Sequence, residues 1–531
     1  MYEFLRTRLQ RRDFFRGTAL AALPAFLQRS AVAAPAAGLQ LGAGIYQSIG
    51  VRPMINARGT FTIISGSLML PEVRSAMAEA SQHFVHMDEL MEGIGARLAE
   101  LTKAEFGLVS CGCSAALTHA TAACIAGGNP DLHVKMPNLA GFPKDEVIIP
   151  GHSRNVYDAA IRSTGAKVVE ANTLEELEAA FGPRTAMIYI LAGPNADRGP
   201  LSTKAICDAA NKRGVPVLVD AAAEILTVPN VHLEAGATLV AYSGGKCIRG
   251  PQTAGMLLGR KDLVRAAWVH SAPHHGYARS LKIGKEEAIG MLMAVEMWFK
   301  RDHKAEWNNW MGRLDAVAKR LSGIDGVTTS IRQPEGLSNK TPSLVIRWDS
   351  AKLGTDGRAV ARHLMTTEPR IALPTGFEGR GQGTETGISV VPYMMMDGEE
   401  KIVGDRIFAT LKNPPKMTLP GTAAPAADLT GKWDVKIDYL ATTSTHVLHL
   451  TQKSGRVEGT HQGDFVSRDL GGSIEGDNVR LTSSYTERHG DSLSFEFLGK
   501  VAGDEISGTL NMGEYLEARW TAKRHQFGRR G

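Results

Sequence analysis

The feature that most restricts the fold of this chain is an alternation, from residue 50 to about residue 413, of short apolar runs with longer helical stretches. Such alternation is typical of an α/β domain, in which helices connect the strands of a mostly parallel sheet. The runs predicted as strands are 107–110, 146–149, 167–169, 187–191, 215–219, 239–242 and 253–258. The stretches predicted as helices are 71–84, 95–103, 114–126, 155–163, 174–181, 203–213 and 285–300.

The pattern changes twice along the rest of the chain. Helices predicted at 307–321 and 358–365 and a strand at 343–347 indicate a small α+β domain. After a linker rich in proline and alanine, short alternating runs with Gly/Asp turns favour an antiparallel β-barrel or sandwich. The predicted boundaries are 1–33 for a signal, 45–300 for the large domain, 301–411 for the small domain, 412–427 for the linker and 428–525 for the all-β domain.

The N-terminal residues have the order of an export signal. Arg11-Arg12-Asp13-Phe14-Phe15 resembles the twin-arginine consensus, an apolar run over 17–27 follows, and Ala31-Val32-Ala33 suits a signal peptidase. The apolar run is far shorter than the ~20 residues that span a bilayer, so no transmembrane anchor is expected. We therefore predict a periplasmic or secreted protein; the alternatives for this segment are an amphipathic helix and a frayed tail.

Charge and cysteine content narrow the possible partners. The net charge of +5 falls to +1 without residues 1–33, which carry six arginines against two acids. A chain so close to neutral gives no indication of a nucleic-acid surface. The five cysteines, an odd number without paired CxxC spacing, predict neither a disulfide framework nor a metal site. Such a protein is easier to understand if it folds in the cytoplasm before twin-arginine export.

The segment with the most chemical content is Ser243-Gly244-Gly245-Lys246, which follows a predicted strand. Cofactors bind at the carboxyl ends of strands in open α/β sheets, and glycines let the backbone approach a bulky ligand. A desolvated lysine has the lowered pKa that imine formation requires. The alternative is an ordinary solvated lysine in a loop.

Two further segments agree with a cofactor at this edge. The apolar strand Val217-Leu218-Val219 ends in Asp220, 26 residues before Lys246, where a carboxylate can hold a proton on a pyridine nitrogen. Asp220 can also be read as a helix N-cap, and Glu224 as a surface acid or a second active-site acid. The segment Cys111-Gly112-Cys113-Ser114 opens a predicted helix, and a helix N-terminus suits a phosphate.

Three stretches resemble the selenocysteine synthase (L-seryl-tRNA(Sec) selenium transferase) superfamily of fold-type I pyridoxal-phosphate enzymes. They are Ile55-Asn56-Ala57-Arg58-Gly59-Thr60, Lys246-Cys247-Ile248-Arg249-Gly250-Pro251-Gln252-Thr253-Ala254-Gly255 and Arg279-Ser280-Leu281-Lys282-Ile283-Gly284-Lys285. The likeness is good over 50–298 and looser in the small domain. A signal in place of the region that engages tRNA in the synthase, and the added all-β domain, are departures that argue against a tRNA substrate.

The resemblance implies pyridoxal 5'-phosphate as the cofactor and assigns roles to individual residues. Lys246 matches the Schiff-base lysine and Asp220 the partner of the pyridine nitrogen. The residues implied near the phosphate are Cys113, Ser114 and Ser243. His152 is placed to stack on the ring, or is an ordinary loop histidine.

Candidates for anionic groups of the substrate, or for the phosphate of an adjacent subunit, are Arg58, Arg249, Arg279 and Lys285, each of which can instead be a structural ion-pair residue. Subunits of this fold usually share active sites, so the resemblance also implies a homodimer or higher homo-oligomer.

These residues predict a pyridoxal-phosphate lyase of the ammonia-lyase type. It would act by α,β-elimination on a small β-substituted amino acid or amino sugar acid, with Lys246 as the base at Cα. A transferase that performs β-replacement, a racemase and an aldolase would begin from the same site. The remaining alternative is a non-catalytic binding protein on a degenerate fold of this type.

Overall fold

The computed structural model describes residues 38–374, 384–415, 423–487 and 492–526. The predicted signal over 1–33 lies outside the described residues. The described residues 38–54 belong to a unit separate from the rest, which contains one turn of 3-10 helix at Gln47–Ile49. Within the described ranges, no helix has both the length and the apolar character needed to cross a membrane.

The strands that precede residue 400 form three sheets. In chain order they are β1 (Ile55–Asn56), β2 (Phe106–Ser110), β3 (Glu146–Pro150), β4 (Lys167–Ala171), β5 (Thr185–Leu191), β6 (Val217–Asp220), β7 (Leu239–Ser243), β8 (Gly255–Gly259), β9 (Val327–Arg332), β10 (Ser343–Asp349), β11 (Ile371–Ala372) and β12 (Glu385–Val390).

The helices lie between these strands and after them. They are α1 (Pro71–Ala80), α2 (Met87–Thr102), α3 (Cys113–Ala126), α4 (Pro130–His133), α5 (Ala159–Arg162), α6 (Leu174–Ala180), α7 (Pro194–Asp197), α8 (Thr203–Asn211), α9 (Val231–Glu234), α10 (Lys261–Val269), α11 (Lys285–Lys300), α12 (His303–Leu321), α13 (Ser350–Leu353), α14 (Gly357–Thr366) and α15 (Glu399–Lys412).

The central sheet has seven strands in the order β2-β8-β7-β6-β5-β3-β4. Strands β3 to β7 run parallel to one another, and β8 is antiparallel to both of its neighbours, β2 and β7. The inner strand β6 is buried at every position, because helices cover both faces of a parallel sheet. The prediction of a mostly parallel α/β sheet is confirmed.

Small residues let α3 pack inside the large unit. The helix is rich in alanine and is buried along most of its length, where it contacts β7, β8 and α10. Short side chains permit a close approach between a helix and a sheet. Its N-terminus therefore lies at the sheet edge where β2 ends, which matters for the site below.

A second, smaller core belongs to the antiparallel sheet β12-β10-β9 and the helices α12, α14 and α15. Ile55 and Ala57 also pack into this core, because β1 pairs with β11. The first strand after the N-terminal unit thus belongs to the smaller core, while the domain boundaries stay predictions. The exposed strand β9 and the helix α15 are absent from the sequence prediction, since β9 carries no regular apolar alternation.

The C-terminal strands close into an eight-stranded barrel, which decides between the predicted barrel and sandwich. Each strand is antiparallel to the next, and the last pairs with the first, with Val435 opposite Ala522. The strands are β13 (Gly431–Asp438), β14 (Thr443–Lys453), β15 (Arg456–Gln462), β16 (Ser467–Glu475), β17 (Asn478–Thr486), β18 (Ser492–Ala502), β19 (Glu505–Asn511) and β20 (Glu517–Arg524).

Several predicted helices differ from the structure. The helix predicted over 71–84 ends at Ala80, and the one predicted over 203–213 ends at Asn211. The helix predicted over 155–163 is a 3-10 turn at Val156–Asp158, capped by the Asn155 side chain, followed by the single turn α5. The helix predicted to begin at Gly95 begins at Met87, with Asp88 and Glu89 in its first turn. Acids near a helix N-terminus are favourable, and they outweigh the two internal glycines Gly93 and Gly95.

Candidate active site

Several strands of the central sheet end at the same edge. The parallel strands β6 and β7 end there with Asp220 and Ser243, and β3 ends with Pro150 just before His152. The antiparallel strand β8 begins there with Gly255, which is paired with Ser243. Ligands of open α/β sheets bind outside the carboxyl ends of the strands, so this edge is the place to look for a site.

A tight turn between β7 and β8 presents Lys246. Backbone hydrogen bonds close the turn, from Gly244 N to Ala254 O at 2.8 Å and from Arg249 N to Lys246 O at 3.0 Å. A Cβ on Gly244 would lie 2.8 Å from the carbonyl oxygen of Ala254, so a larger residue would force the turn open. Among the described residues, Nζ of the half-buried Lys246 has no hydrogen-bond or ion-pair partner.

Asp220 is almost completely buried, yet both of its carboxylate oxygens accept hydrogen bonds. Oδ2 accepts from the hydroxyl of Tyr189 at 3.0 Å, and Oδ1 accepts from the backbone N–H of Ala222 at 3.0 Å. Burial raises the pKa of Asp220, while these hydrogen bonds and the charge of Lys246 oppose the rise. The structure thus brings Lys246 and Asp220 within electrostatic reach of each other.

Tyr189 and Asn155 extend this arrangement, and the sequence reasoning missed both. Nδ2 of Asn155 donates to the Tyr189 hydroxyl at 3.1 Å, and that hydroxyl donates to Asp220. Tyr189 is fully buried in the middle of β5. The available signal was that Tyr189 is the one residue with a hydroxyl in the apolar run predicted as a strand over 187–191, because a buried polar group requires a partner.

Cys113 is the first residue of α3, and its side chain faces the carboxylate. Its Sγ lies 3.6 Å from Oδ1 of Asp220. Burial raises the pKa of this thiol well above its ordinary value, and the negative charge of Asp220 adds to the effect. The thiol therefore stays protonated as a weak donor to Asp220. The place of Cys113 near the phosphate, which the resemblance implied, stays a prediction.

The backbone at the start of α3 is open for an anion. No hydrogen-bond partner is found among the described residues for the backbone N–H groups of Cys113, Ser114 and Ala115. Ser114 is exposed beside them, and Ser243 is half-buried at the neighbouring end of β7. A Cβ on Gly255 would lie 2.4 Å from the carbonyl carbon of Gly112, so glycine is required where β8 meets this helix end.

His152 follows β3 in a 3-10 turn at Gly151–Ser153. Its Nε2 is buried and has no hydrogen-bond partner among the described residues. Burial lowers its pKa, so the ring is neutral near pH 7. The structure places this ring at the same sheet edge as Asp220, and its stacking role stays a prediction.

The four candidate substrate cations are not brought together within one chain. Arg58 stacks over Phe61 at 4.5 Å, Lys285 pairs with Glu286, and Arg279 is exposed. Arg249, three residues after Lys246, turns away to donate from Nε to the carbonyl oxygen of Leu68 at 3.0 Å. It lines a separate cavity of about 360 Å³. Their proposed roles stay predictions.

Glu224 is neither at the surface nor among the groups around Asp220. It is buried, and its Oε2 lies 2.6 Å from Nε2 of His232. Its backbone oxygen accepts from the thiol of Cys247, at 2.9 Å, on the far side of the lysine turn. A cavity of about 430 Å³ on that side is lined by Cys247, Trp298 and Arg301 and contains neither Lys246 nor Asp220.

The donors at the sheet edge fit pyridoxal phosphate. The open N-terminus of α3 suits the phosphate, buried Asp220 suits a protonated ring nitrogen, and Lys246 suits the carbonyl carbon. The unpartnered Nε2 of buried His152 is a further polar atom at this edge. Among the described residues, no three His, Cys, Asp or Glu side chains are arranged to hold a metal ion.

Comparison with known proteins agrees with a pyridoxal-phosphate enzyme. The aminotransferase class-V family model matches residues 143–273. The chain is 30% identical over 372 residues to D-glucosaminate-6-phosphate ammonia lyase of Salmonella typhimurium, covering 68% of this chain and 96% of the relative. A solved structure of D-glucosaminate-6-phosphate ammonia-lyase superposes with a TM-score of 0.61 at 29% identity, covering 70% of this chain and 98% of the other.

Two other relatives have different chemistry in their names. A 5'-C-glycyluridine monooxygenase-decarboxylase of Streptomyces sp. is 30% identical over 371 residues, which cover 67% of this chain and 90% of the relative. An L-seryl-tRNA(Sec) selenium transferase of Yersinia pestis is 22% identical over 286 residues, covering 48% and 58%. The names of the relatives of this chain thus describe more than one reaction.

Proposed function

The chain belongs to the family of fold-type I pyridoxal-phosphate enzymes that includes D-glucosaminate-6-phosphate ammonia lyase, and we propose that it is itself a pyridoxal-phosphate lyase. In this proposal it removes a β-substituent and then ammonia from a small amino acid or amino sugar acid. The observation that carries it is that Lys246 lies within electrostatic reach of buried Asp220 at one sheet edge. Lys246 has no hydrogen-bond partner among the described residues.

Asp220 has the environment of a fixed counter-charge. Its oxygens are oriented by Tyr189 and Ala222, so the carboxylate keeps one position as a ring nitrogen is protonated beside it. Pyridoxal phosphate, when bound, supplies a ring that delocalises the negative charge left on Cα after proton removal. The preorganised carboxylate lowers the cost of that charge, because no dipole has to reorient during the reaction.

Lys246 is proposed both to carry the cofactor and to move the proton at Cα. Its Nζ has no acid in hydrogen-bond contact among the described residues. A positioned base contributes about 10²–10⁴-fold to a proton transfer. The open N-terminus of α3 would anchor the phosphate and thereby fix the distance between the ring and Lys246.

The test uses purified protein reconstituted with pyridoxal phosphate. Wild type is expected to show the visible absorbance of lysine-bound cofactor and to release keto acid and ammonia from one member of a panel of β-hydroxy amino acids and amino sugar acids. In Lys246→Ala the absorbance disappears, and turnover falls by about 10²-fold or more.

Lys319→Ala is the matched control for this test, because Lys319 is an exposed residue in the last turn of α12. Its absorbance and turnover are expected to equal those of wild type. A wild-type protein that binds no cofactor, or a Lys246→Ala protein that keeps both signals, would contradict the proposal.

A second candidate is oxygen-dependent decarboxylation, which the 30% identity to the monooxygenase-decarboxylase favours. The same panel separates the two reactions. A lyase releases ammonia and keto acid under anaerobic conditions, whereas the oxygenase consumes oxygen and releases carbon dioxide. Turnover that requires oxygen would favour the second candidate.

We propose further that the protein is exported by the twin-arginine route and acts as a homo-oligomer. The support for export is the arginine pair at Arg11 and Arg12 and the five unpaired thiols, which fit folding in a reducing compartment. The support for an oligomer is the family resemblance, in which subunits usually share active sites, together with the exposure of Arg279. Export is tested with Arg11→Lys/Arg12→Lys, which is expected to abolish it. The oligomer is tested by mixing Lys246→Ala with Arg279→Gln subunits, which is expected to restore activity.

A further inference from the structure

The interior of the C-terminal barrel differs in polarity between its two ends. At the end where β13 begins, the inward side chains are apolar and buried; they include Trp433, Leu450, Val457, Ile474, Val501 and Ala522. At the opposite end, four consecutive strands each contribute one buried polar side chain, namely His446, His461, Arg468 and Ser483. Polar groups inside a small barrel are costly unless they are paired.

Three of these four side chains are paired in a chain of hydrogen bonds. Ser483 Oγ lies 2.7 Å from Nδ1 of His461, and Nε2 of His461 lies 2.8 Å from Nδ1 of His446. His446 in turn reaches Asp464 at 3.4 Å, outside the interior. Burial lowers the pKa of both histidines, that of His461 to about 3, so both rings are neutral at pH 7.

Arg468 is the exception. Arg468 is 8% exposed, and its Nε and Nη1 are buried without an acceptor among the described residues. The guanidinium carbon lies 4.7 Å from the ring centre of Phe495, which orients the group but accepts no hydrogen bond. Leaving charged donors unsatisfied inside a protein is strongly unfavourable. A site that tolerates this cost resembles a binding site in which a ligand supplies the acceptors.

The turns at this end carry exposed apolar side chains. Leu440 is 81% exposed in the turn after β13, Phe465 is 97% exposed in the turn after β15, and Tyr515 and Leu516 are exposed before β20. The turns at the other end are Ser454-Gly455, Gly476-Asp477 and Gly503-Asp504, all small or polar. Polar residues are usual in hairpin turns, so the apolar rim is specific to the end that holds Arg468.

We propose that this end of the barrel binds a small amphiphilic carboxylate, whose carboxylate pairs with Arg468 while its apolar part contacts Phe495 and the rim side chains Leu440 and Phe465. The polarity at the barrel end matches such a ligand, with a cation inside and apolar groups outside. A guanidinium presents parallel N–H donors that fit a carboxylate. Because the side chains deeper in the barrel are packed, the apolar part of the ligand would lie at the rim.

The test is calorimetric titration of the full-length protein with decanoate, decanol and acetate. Decanoate is expected to bind, and the two partial ligands to bind at least about tenfold more weakly, because each lacks one of the contacts. Arg468→Gln is expected to weaken decanoate binding by about tenfold or more. The matched control Arg480→Gln, an exposed arginine on β17 that pairs with Glu496, is expected to bind as wild type.

A second variant keeps the test decisive if Arg468→Gln fails to fold. Phe465→Ser changes an exposed turn residue and is expected to weaken decanoate binding while leaving acetate binding unchanged. The proposal is overturned if wild type does not bind decanoate, if decanol binds as tightly, or if Phe465→Ser and a folded Arg468→Gln bind like wild type. Binding to phosphatidylglycerol vesicles without binding of monomeric decanoate also overturns it.

Discussion

Asp220 and Arg468 are both buried charged side chains, but their surroundings differ. Asp220 accepts hydrogen bonds on both oxygens, from Tyr189 and Ala222, and lies within reach of Lys246. Arg468 has two buried donor atoms without an acceptor among the described residues. The first charge is oriented by hydrogen bonds within the protein. The second has the Phe495 ring and the more distant charge of Asp464 near it, but Nε and Nη1 have no acceptor among the described residues.

The difference follows from the two architectures. At the end of a parallel sheet, loop and helix N-termini leave backbone N–H groups unpaired, and one of them reaches Asp220 from Ala222. In a closed antiparallel barrel every strand uses its backbone groups in the ladder, so the interior offers side chains only. A buried charge inside such a barrel therefore depends on neighbouring side chains or on a ligand.

The largest effect is expected when the charge of Asp220, whose two oxygens both accept hydrogen bonds, is removed. Asp220→Asn keeps the shape and can still accept from Tyr189, but it cannot balance a protonated ring nitrogen. Turnover is expected to fall by about 10²–10³-fold, which corresponds to roughly 3–4 kcal/mol of lost stabilisation. Steady-state kinetics checks this, with Asp208→Asn, an exposed partner of Lys204, as the control. A loss smaller than about threefold would remove the contrast with Arg468.

A smaller effect of opposite sign, on the stability of the barrel, is expected when the charge of Arg468 is removed. Arg468→Met removes two unsatisfied donors and keeps an unbranched apolar stem. We expect barrel stability to be unchanged or to rise by about 1–3 kcal/mol. Denaturant unfolding followed by the fluorescence of Trp433 and Trp520 measures it, and Arg480→Met should change stability by less than about 0.5 kcal/mol. A clear destabilisation would mean that Arg468 already has its partner within the protein.

The smallest effect is expected when one of the hydrogen-bond donors to Asp220 is removed. Tyr189→Phe removes the hydroxyl that donates to Asp220, and the loss of that bond raises the pKa of the carboxyl group. We expect a loss of turnover of about fivefold, or roughly 1 kcal/mol. The pH dependence of cofactor absorbance should move to higher pH, while exposed Tyr157→Phe leaves it unchanged. An unaltered pH profile would show that Tyr189 does not orient Asp220.

Much of the large unit follows from the sequence because its elements alternate regularly. The strands that end at Asp220 and Ser243 are parallel, so their ends must meet at one edge, where a ligand is expected. The identity of the cofactor came from the family resemblance. The direction of individual side chains was harder to predict from the sequence. The thiol of Cys113 faces Asp220, and Arg249 turns away from the lysine beside it; both depend on turn geometry that residue type does not encode.

The polar end of the barrel was not found from the sequence. His446, His461 and Ser483 lie on three different strands, and no local spacing connects them. Alternation predicts which residues face inward, but only strand register places His461 opposite Arg468. Barrel closure was likewise undecided, because a sandwich has the same alternation along each strand.

The pairing of β13 with β20 has a consequence for the connectivity of this domain. The strand that enters the barrel and the strand that leaves it are neighbours, and Arg524 lies opposite Trp433 and donates to the carbonyl oxygen of Thr430. A short peptide that joined these two strands would make the barrel a cyclic chain. New termini placed in the turn at Ser454-Gly455 would then give a circular permutant with all eight strands in their present order.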